Sequence, residues 1–204
     1  DGASQGQALL QRAAEAGLVK AMRRLASGYR TGDWGGTPDP AQYRQWLERT
    51  AAAGDVSATV ELSKLVMADP DATAGQRDKA RLYLVAAAKT SPRAARELGN
   101  LCLQGSLAGE CGGDAVRWFA KAAEQGDVSA MRQVAKLYSA GLGGADRDPA
   151  AAVGWLRKAA EAGEPRAMFD LASAYEAGFG TEAAPDLAAR WFAAARLAGV
   201  TEGQ

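Results

Sequence analysis

The stretch Trp118-Phe119-Ala120-Lys121-Ala122-Ala123-Glu124-Gln125-Gly126-Asp127 returns 37 residues later as Trp155-Leu156-Arg157-Lys158-Ala159-Ala160-Glu161-Ala162-Gly163-Glu164. Aligning the chain on Gly126 and Gly163 extends the match in both directions. The anchors are Gly17, Gly54, Thr90, Gly126, Gly163 and Gly199, spaced 36 or 37 residues apart. Eight residues before them stand Leu9, Trp46, Leu82, Trp118, Trp155 and Trp191. Eight residues after the first five stand Leu25, Leu62, Leu98, Val134 and Leu171. A fixed period of this length is the signature of a helical repeat array.

The spacing within each repeat is helical. Before the anchor, apolar or small residues fall at i, i+1, i+4 and i+5. After it they fall at i, i+4 and i+8, one face of a helix at 3.6 residues per turn. Asp39-Pro40, Ser91-Pro92 and Asp148-Pro149 each place a capping side chain before a proline at the first helical position. Asp55 and Asp127 are candidate caps after their glycines, and Gly32, Gly105, Gly141 and Gly178 suit left-handed helix ends. The expectation is an all-α, right-handed α-solenoid of about five and a half helix-turn-helix repeats. They form one domain over 1–204, with repeats at roughly 7–39, 40–75, 76–112, 113–148 and 149–184 and a lone helix at 185–199. One pair cannot bury its own stripe, so neighbouring pairs must cover it. Met22, Met131 and Met168, five residues after their anchors, read as core filler. Repeats two and three depart: Asp69-Pro70 replaces the terminal glycine of repeat two, and Thr90-Ser91-Pro92 replaces the mid-repeat Gly-Asp. Altered turns are expected there.

Composition narrows the functional classes. Alanine fills 48 of the 204 positions, which favours helix over strand. With 24 basic and 24 acidic residues the net charge is zero, so no global basic excess drives nucleic-acid binding. There is no histidine. That removes Ser-His-Asp and Cys-His catalysis and the commonest metal ligand. Two cysteines without histidine make structural zinc improbable. No Walker loop, nucleotide fingerprint or nucleophile elbow occurs, and no apolar run reaches the ~20 residues of a membrane-spanning helix. The expectation is no catalytic residue, no metal and no cofactor. Asp69 and Asp71, two nearby loop acids, are the thin basis for a hydrolytic alternative.

Trp118 to Asp127, followed by Ala130, Val134-Ala135, Leu137-Tyr138 and Gly141, resembles the Sel1-like repeat; Trp155 to Gly163, with Ala167, Leu171-Ala172, Tyr175 and Gly178, resembles it equally. The resemblance implies a non-catalytic adaptor or scaffold, commonly bacterial and periplasmic or exported. A weaker resemblance is to alginate-type exopolysaccharide secretion scaffolds. Family geometry further implies that positions three, six and ten after the anchor face a concave groove. Those positions hold Lys20, Arg23, Lys64, Arg93, Arg96, Arg132, Lys136 and Arg166 among fifteen, with Phe169 beside them and no acid. A one-signed stripe in a neutral chain steers oppositely charged partners. The expected partner is an acidic protein segment, with an anionic polysaccharide or a cytoplasmic signalling role as alternatives. The competing reading is a solvated face balanced by acids such as Glu61, Glu97 and Asp170.

Arg12, Arg49, Lys121 and Lys158 stand five before their anchors, and Glu15, Glu124 and Glu161 follow three residues after cations, so intrahelical salt pairs are expected. Trp34, outside the repeat frame, is a candidate loop contact or a residue tucked on the first pair. Cys102 and Cys111 are nine residues apart with a glycine-bearing turn between them. A disulfide there would imply an oxidising compartment; the alternative is two reduced thiols with Cys102 in the core. The last helix leaves Trp191, Phe192 and Leu197 in need of cover, so a longer native chain or an assembling end is expected.

Overall fold

The computed structural model describes residues 2–33, 36–105 and 114–200. Eleven α-helices are found among them: α1 (Gly2–Glu15), α2 (Val19–Thr31), α3 (Pro40–Ala52), α4 (Val56–Ala68), α5 (Ala74–Ala88), α6 (Pro92–Leu103), α7 (Ala115–Glu124), α8 (Val128–Ala140), α9 (Pro149–Glu161), α10 (Pro165–Ala177) and α11 (Pro185–Leu197). The architecture is an all-α helical repeat. The helices fall into two compact units, Asp1–Ala94 and Ala95–Gln204. In the first unit α1 to α5 pack successively; in the second α7 to α11 do the same.

The caps form as their chemistry requires. Asp39 accepts from the backbone N–H groups of Ala41 and Gln42, Asp55 from Ala58, Asp127 from Ala130 and Asp148 from Ala151, at 2.9–3.1 Å. Ser91 reaches Ala94 N at 3.4 Å. Glu164 caps α10 through Ala167 N, and Thr73 and Gln76 close a reciprocal capping box on α5.

The anchor glycines make one kind of turn. Gly17, Gly54, Gly126, Gly163 and Gly199 all have φ between 86° and 93°, where a Cβ is strained. After each, the next backbone N–H reaches five residues back: Leu18 to Ala13, Asp55 to Thr50, Asp127 to Ala122, Glu164 to Ala159 and Val200 to Ala195. This is the wide bond of a Schellman-type helix end. Thr90 cannot take that φ cheaply. No non-glycine residue among those described has positive φ, and Ser91 N bonds only four back, to Ala87 O. The other departure is altered too. Gly32, Gly141 and Gly178 end helices with φ of 66–74°, whereas Asp69 is extended at φ −83° and ψ 112°.

The cations five before the anchors do not form the expected salt pairs. Arg49 lies 4.7 Å from the ring centre of Trp46, Lys121 5.7 Å from Trp118 and Lys158 4.1 Å from Trp155. Three residues apart on a helix, cation and indole share a face, and the ring quadrupole attracts the charge by about 0.5–1 kcal/mol at an exposed site. Glu15 instead accepts from Gln11, four residues earlier, at 3.2 Å.

Alanine sets the spacing of the core. Ala130, Ala152, Ala159, Ala167 and Ala195 in the second unit are inaccessible to solvent. Gly99 on α6 leaves no room for a side chain beside α7. A Cβ at Gly99 would fall 2.7 Å from the Phe119 ring, and Phe119 is itself 0% exposed. Met22 is buried, and Met131 and Met168 pack half-buried against the second unit's core, in the filler role read from their spacing. Trp191 and Phe192 lie half-buried against that same core, whereas Leu197 is 92% exposed.

Candidate functional site

The candidate binding residues all stand on the second helices of the pairs, α2, α4, α6, α8 and α10. The Arg residues six after the anchor turn out to face acids of the scaffold. In the first unit Arg23 Nε lies 3.2 Å from Asp55. In the second, Arg96 Nε lies 2.9 Å from Asp127, and Arg132 Nε lies 2.8 Å from Asp170 and 3.9 Å from Glu164. Asp55, Asp127 and Glu164 are the caps of the next second-row helix. Each Arg therefore ties one repeat to the cap of the following one. Where the next cap position is not acidic, the Arg is missing as well. Val60 precedes Ser91 and is buried, and Phe169 precedes Val200 and packs edge-on against Phe192 at 5.2 Å. The acid Asp170, read as a balancing charge, does that for Arg132; Glu61 serves Arg30 at 3.0 Å instead.

The rest of the stripe is differently placed. Arg93 donates to Ser57 at 3.3 Å, joining α4 and α6 within the first unit. Lys64 is exposed on α4 and is not without a partner. Lys20, Lys136 and Arg166 are exposed and make no ion pair among the described residues. Trp34 and Cys111 lie outside the described residues; Cys102 is half-buried near the end of α6.

Two clefts open at equivalent repeat positions, one in each unit. In the second unit a cavity of about 390 Å³ lies between α8, α9 and α10. Ala135, Leu156, Ala174 and Phe179 give it apolar walls, while Lys136 and Asp170 bring charge to it. In the first unit a cavity of about 260 Å³ lies between α2, α3 and α4, with Ala26, Ser27, Leu47 and Glu61 where the other has Ala135, Lys136, Leu156 and Asp170. Its wall also includes Tyr43, whose hydroxyl donates to Glu61 at 2.6 Å. Burial, then the Glu61 carboxylate, push the Tyr43 pKa up to about 12, so the phenol stays a donor at neutral pH. Only the larger of the two falls within the range of about 300–1,000 Å³ typical of ligand clefts. The basic stripe was legible in the sequence once the family resemblance singled out positions three, six and ten after the anchor. The clefts were not, because they depend on side chains of different helices that only the fold brings together, such as Leu47 with Glu61 and Leu156 with Asp170.

The loop acid Asp69 is tied to the scaffold. Asp69 accepts from Arg44 at 2.6 Å and from the Asp71 N–H at 3.0 Å, and these bonds hold its pKa below the ordinary carboxylate value. A carboxylate whose pKa is lowered is ionised at neutral pH and does not serve as a general acid there. Among the described residues, no helix is long and apolar enough to cross a membrane.

The repeat geometry matches a known pattern. A model of the Sel1 repeat matches residues 3–18, 19–55, 92–127, 128–164 and 165–200. The chain belongs to the Sel1 repeat family. The Sel1 match passes over 56–91, the segment holding both departures from the glycine turns. A Sel1 repeat protein from Oxalobacter formigenes has a similar structure, with a TM-score of 0.78 and 28% identity, over 97% of this chain and 56% of that one. A protective antigen of uropathogenic Escherichia coli displaying an SLR fold is 28% identical over 95% of this chain and 49% of that one, at a TM-score of 0.43. A Sel1 repeat protein from Klebsiella pneumoniae subsp. pneumoniae is 22% identical, at a TM-score of 0.47, over 95% and 93%. The chain spans about half the length of the first two. No curated protein matches the sequence. Sel1 repeats generally mediate protein–protein binding, and the family is that of interaction repeat scaffolds.

Proposed function

We propose that this Sel1 chain is a non-catalytic scaffold of the bacterial cell envelope that holds an acidic protein segment against its second-row helices. The observation carrying the proposal is Lys136. It borders an apolar cleft, is exposed, and makes no ion pair among the described residues. Arg166 on α10 adds a second exposed cation to the same unit. Arg23, Arg96 and Arg132 contribute by bracing repeats, since their charge is already met by Asp55, Asp127 and Asp170. Unpaired surface cations beside apolar walls steer and then retain an acidic chain. The envelope assignment follows the family resemblance and predicts an oxidised Cys102–Cys111 pair, which mass measurement with and without reductant tests.

The test is a titration with a glutamate-rich peptide at two salt concentrations, using wild type and the double variant Lys136→Glu/Arg166→Glu. Binding that weakens with salt and is lost in the variant supports the proposal. Equal binding by both proteins removes it. A polyuronate binding in place of the peptide would move the assignment to polysaccharide recognition.

A further inference from the structure

The two clefts carry cations of different standing. In the first unit the wall holds Arg23 and Arg30, and each meets an acid of the scaffold, Asp55 at 3.2 Å and Glu61 at 3.0 Å. In the second unit Lys136 borders the cavity and makes no ion pair among the described residues. A second cation touches the same wall. Arg147, in the connection from α8 to α9, donates from Nε to the Ser139 carbonyl at 3.2 Å, and its guanidinium lies 5.9 Å from the ring centre of Phe179. Ser139 and Phe179 both line the cavity. Arg147 is exposed and forms no ion pair among the described residues, although Asp146 and Asp148 flank it in the chain; the Asp148 carboxylate is occupied in capping α9. Asp170, the acid in the wall, is already met by Arg132 at 2.8 Å. Ser139 stands three residues on from Lys136, so the two share a face of α8. Lys136 and Arg147 thus bring unmet charge to successive turns of that face.

We infer that the second unit's cleft takes one apolar side chain of the acidic segment, while carboxylates on either side of that residue pair with Lys136 and Arg147. This rests on the acidic-segment reading above; it adds an apolar anchor and a binding residue outside the basic stripe. Ala135, Leu156, Ala174 and Phe179 give the cavity of about 390 Å³ its apolar walls, and filling it with hydrocarbon removes that surface from water. Cations at two successive turns favour a chain that is acidic on both sides of the inserted group. The scaffold engages Arg147 through Nε, which leaves the two terminal nitrogens of its guanidinium for a carboxylate. The first unit's cleft offers no such combination, because Arg23 and Arg30 are met within the unit.

The experiment titrates the full chain with two synthetic peptides, glutamate-rich and identical except for a central Leu or Ser. The serine peptide is expected to bind about tenfold more weakly, since the buried hydrocarbon is lost. Arg147→Gln is expected to weaken the leucine peptide about threefold, the size of one exposed charge pair. Arg147→Lys keeps the charge and is expected to bind nearly as wild type does. Arg190→Gln removes an exposed cation of α11 that is not part of the cleft wall, and is expected to leave binding unchanged. Equal binding of the leucine and serine peptides overturns the inference. So does an Arg147→Gln protein that binds like wild type, or an equal loss in Arg190→Gln. An Arg147→Lys protein as weak as Arg147→Gln overturns it too, because Arg147 would then act by supporting its loop. If in any of these cases binding still falls with salt and with Lys136→Glu, the acidic-segment reading stands and only the apolar anchor with its second cation is lost. If neither peptide binds, both fall.

Discussion

Residues 128–164 and 56–91 are one repeat each, and they turn their corners by different means. In the first, Gly141 and Gly163 take left-handed φ and let the chain close tightly. In the second, Asp69 and Thr90 occupy the glycine positions and remain at negative φ. The cost of losing glycine is met by side chains. Arg44 binds the Asp69 carboxylate, Arg77 donates to the carbonyls of Asp69 and Pro70, and Thr73 with Gln76 caps the next helix. Lys79 reaches across to Glu48, which holds its pKa above the ordinary lysine value. The core differs likewise. Phe119, in the neighbouring regular repeat 92–127, and Tyr83 share a repeat position, seven before the anchor, but Phe119 is fully buried and Tyr83 only partly. Backbone geometry and close packing fix the regular repeats; polar side-chain bracing fixes the departing one.

Substitutions at matched positions separate the two regimes. Phe119→Ala is expected to cost about 3–5 kcal/mol of unfolding free energy, because it empties a fully buried ring site. Tyr83→Ala should cost less than half as much in the same denaturant titration. Next in size, Gly126→Ala forces a Cβ into φ 91° and is expected to cost about 1–2 kcal/mol, whereas Thr90→Ala should change stability by less than about 0.5 kcal/mol. Equal effects at the two anchors would show that their turns are alike after all. Asp127→Ala removes a helix cap and the partner of Arg96, for a loss of about 1 kcal/mol. The smallest effect is at Asp69. Its folded pKa is depressed, first by Arg44, so its contribution is present above 3.8 and is lost as pH falls through the lower folded value. The stability gap between wild type and Asp69→Asn should therefore close on acidification below 3.8, measured by thermal melts across that range.

The repeat frame was readable because its signals are local: a glycine, a cap and an apolar stripe recur with fixed spacing. The two broken turns were readable for the same reason, as missing glycines. The indole–cation pairs were misread as salt pairs with Glu124 and Glu161, since sequence spacing puts Lys121 and Lys158 within reach of either neighbour. The basic stripe was visible, but its division into bracing and available charges was not. That division depends on contacts between repeats, such as Arg132 with Asp170 at a separation of 38 residues. One signal of it was present in the sequence: Arg23, Arg96 and Arg132 each precede an acidic cap in the next repeat, while Val60 and Phe169 precede Ser91 and Val200.

The most direct test is a paired measurement of melting temperature and glutamate-rich peptide affinity on Lys136→Ala and Arg132→Ala. Lys136→Ala is expected to leave melting unchanged and to weaken the peptide, and Arg132→Ala to lower the melting temperature by breaking its contacts with Asp170 and Glu164. A Lys136→Ala protein that melts early but binds the peptide as well as wild type would contradict the account.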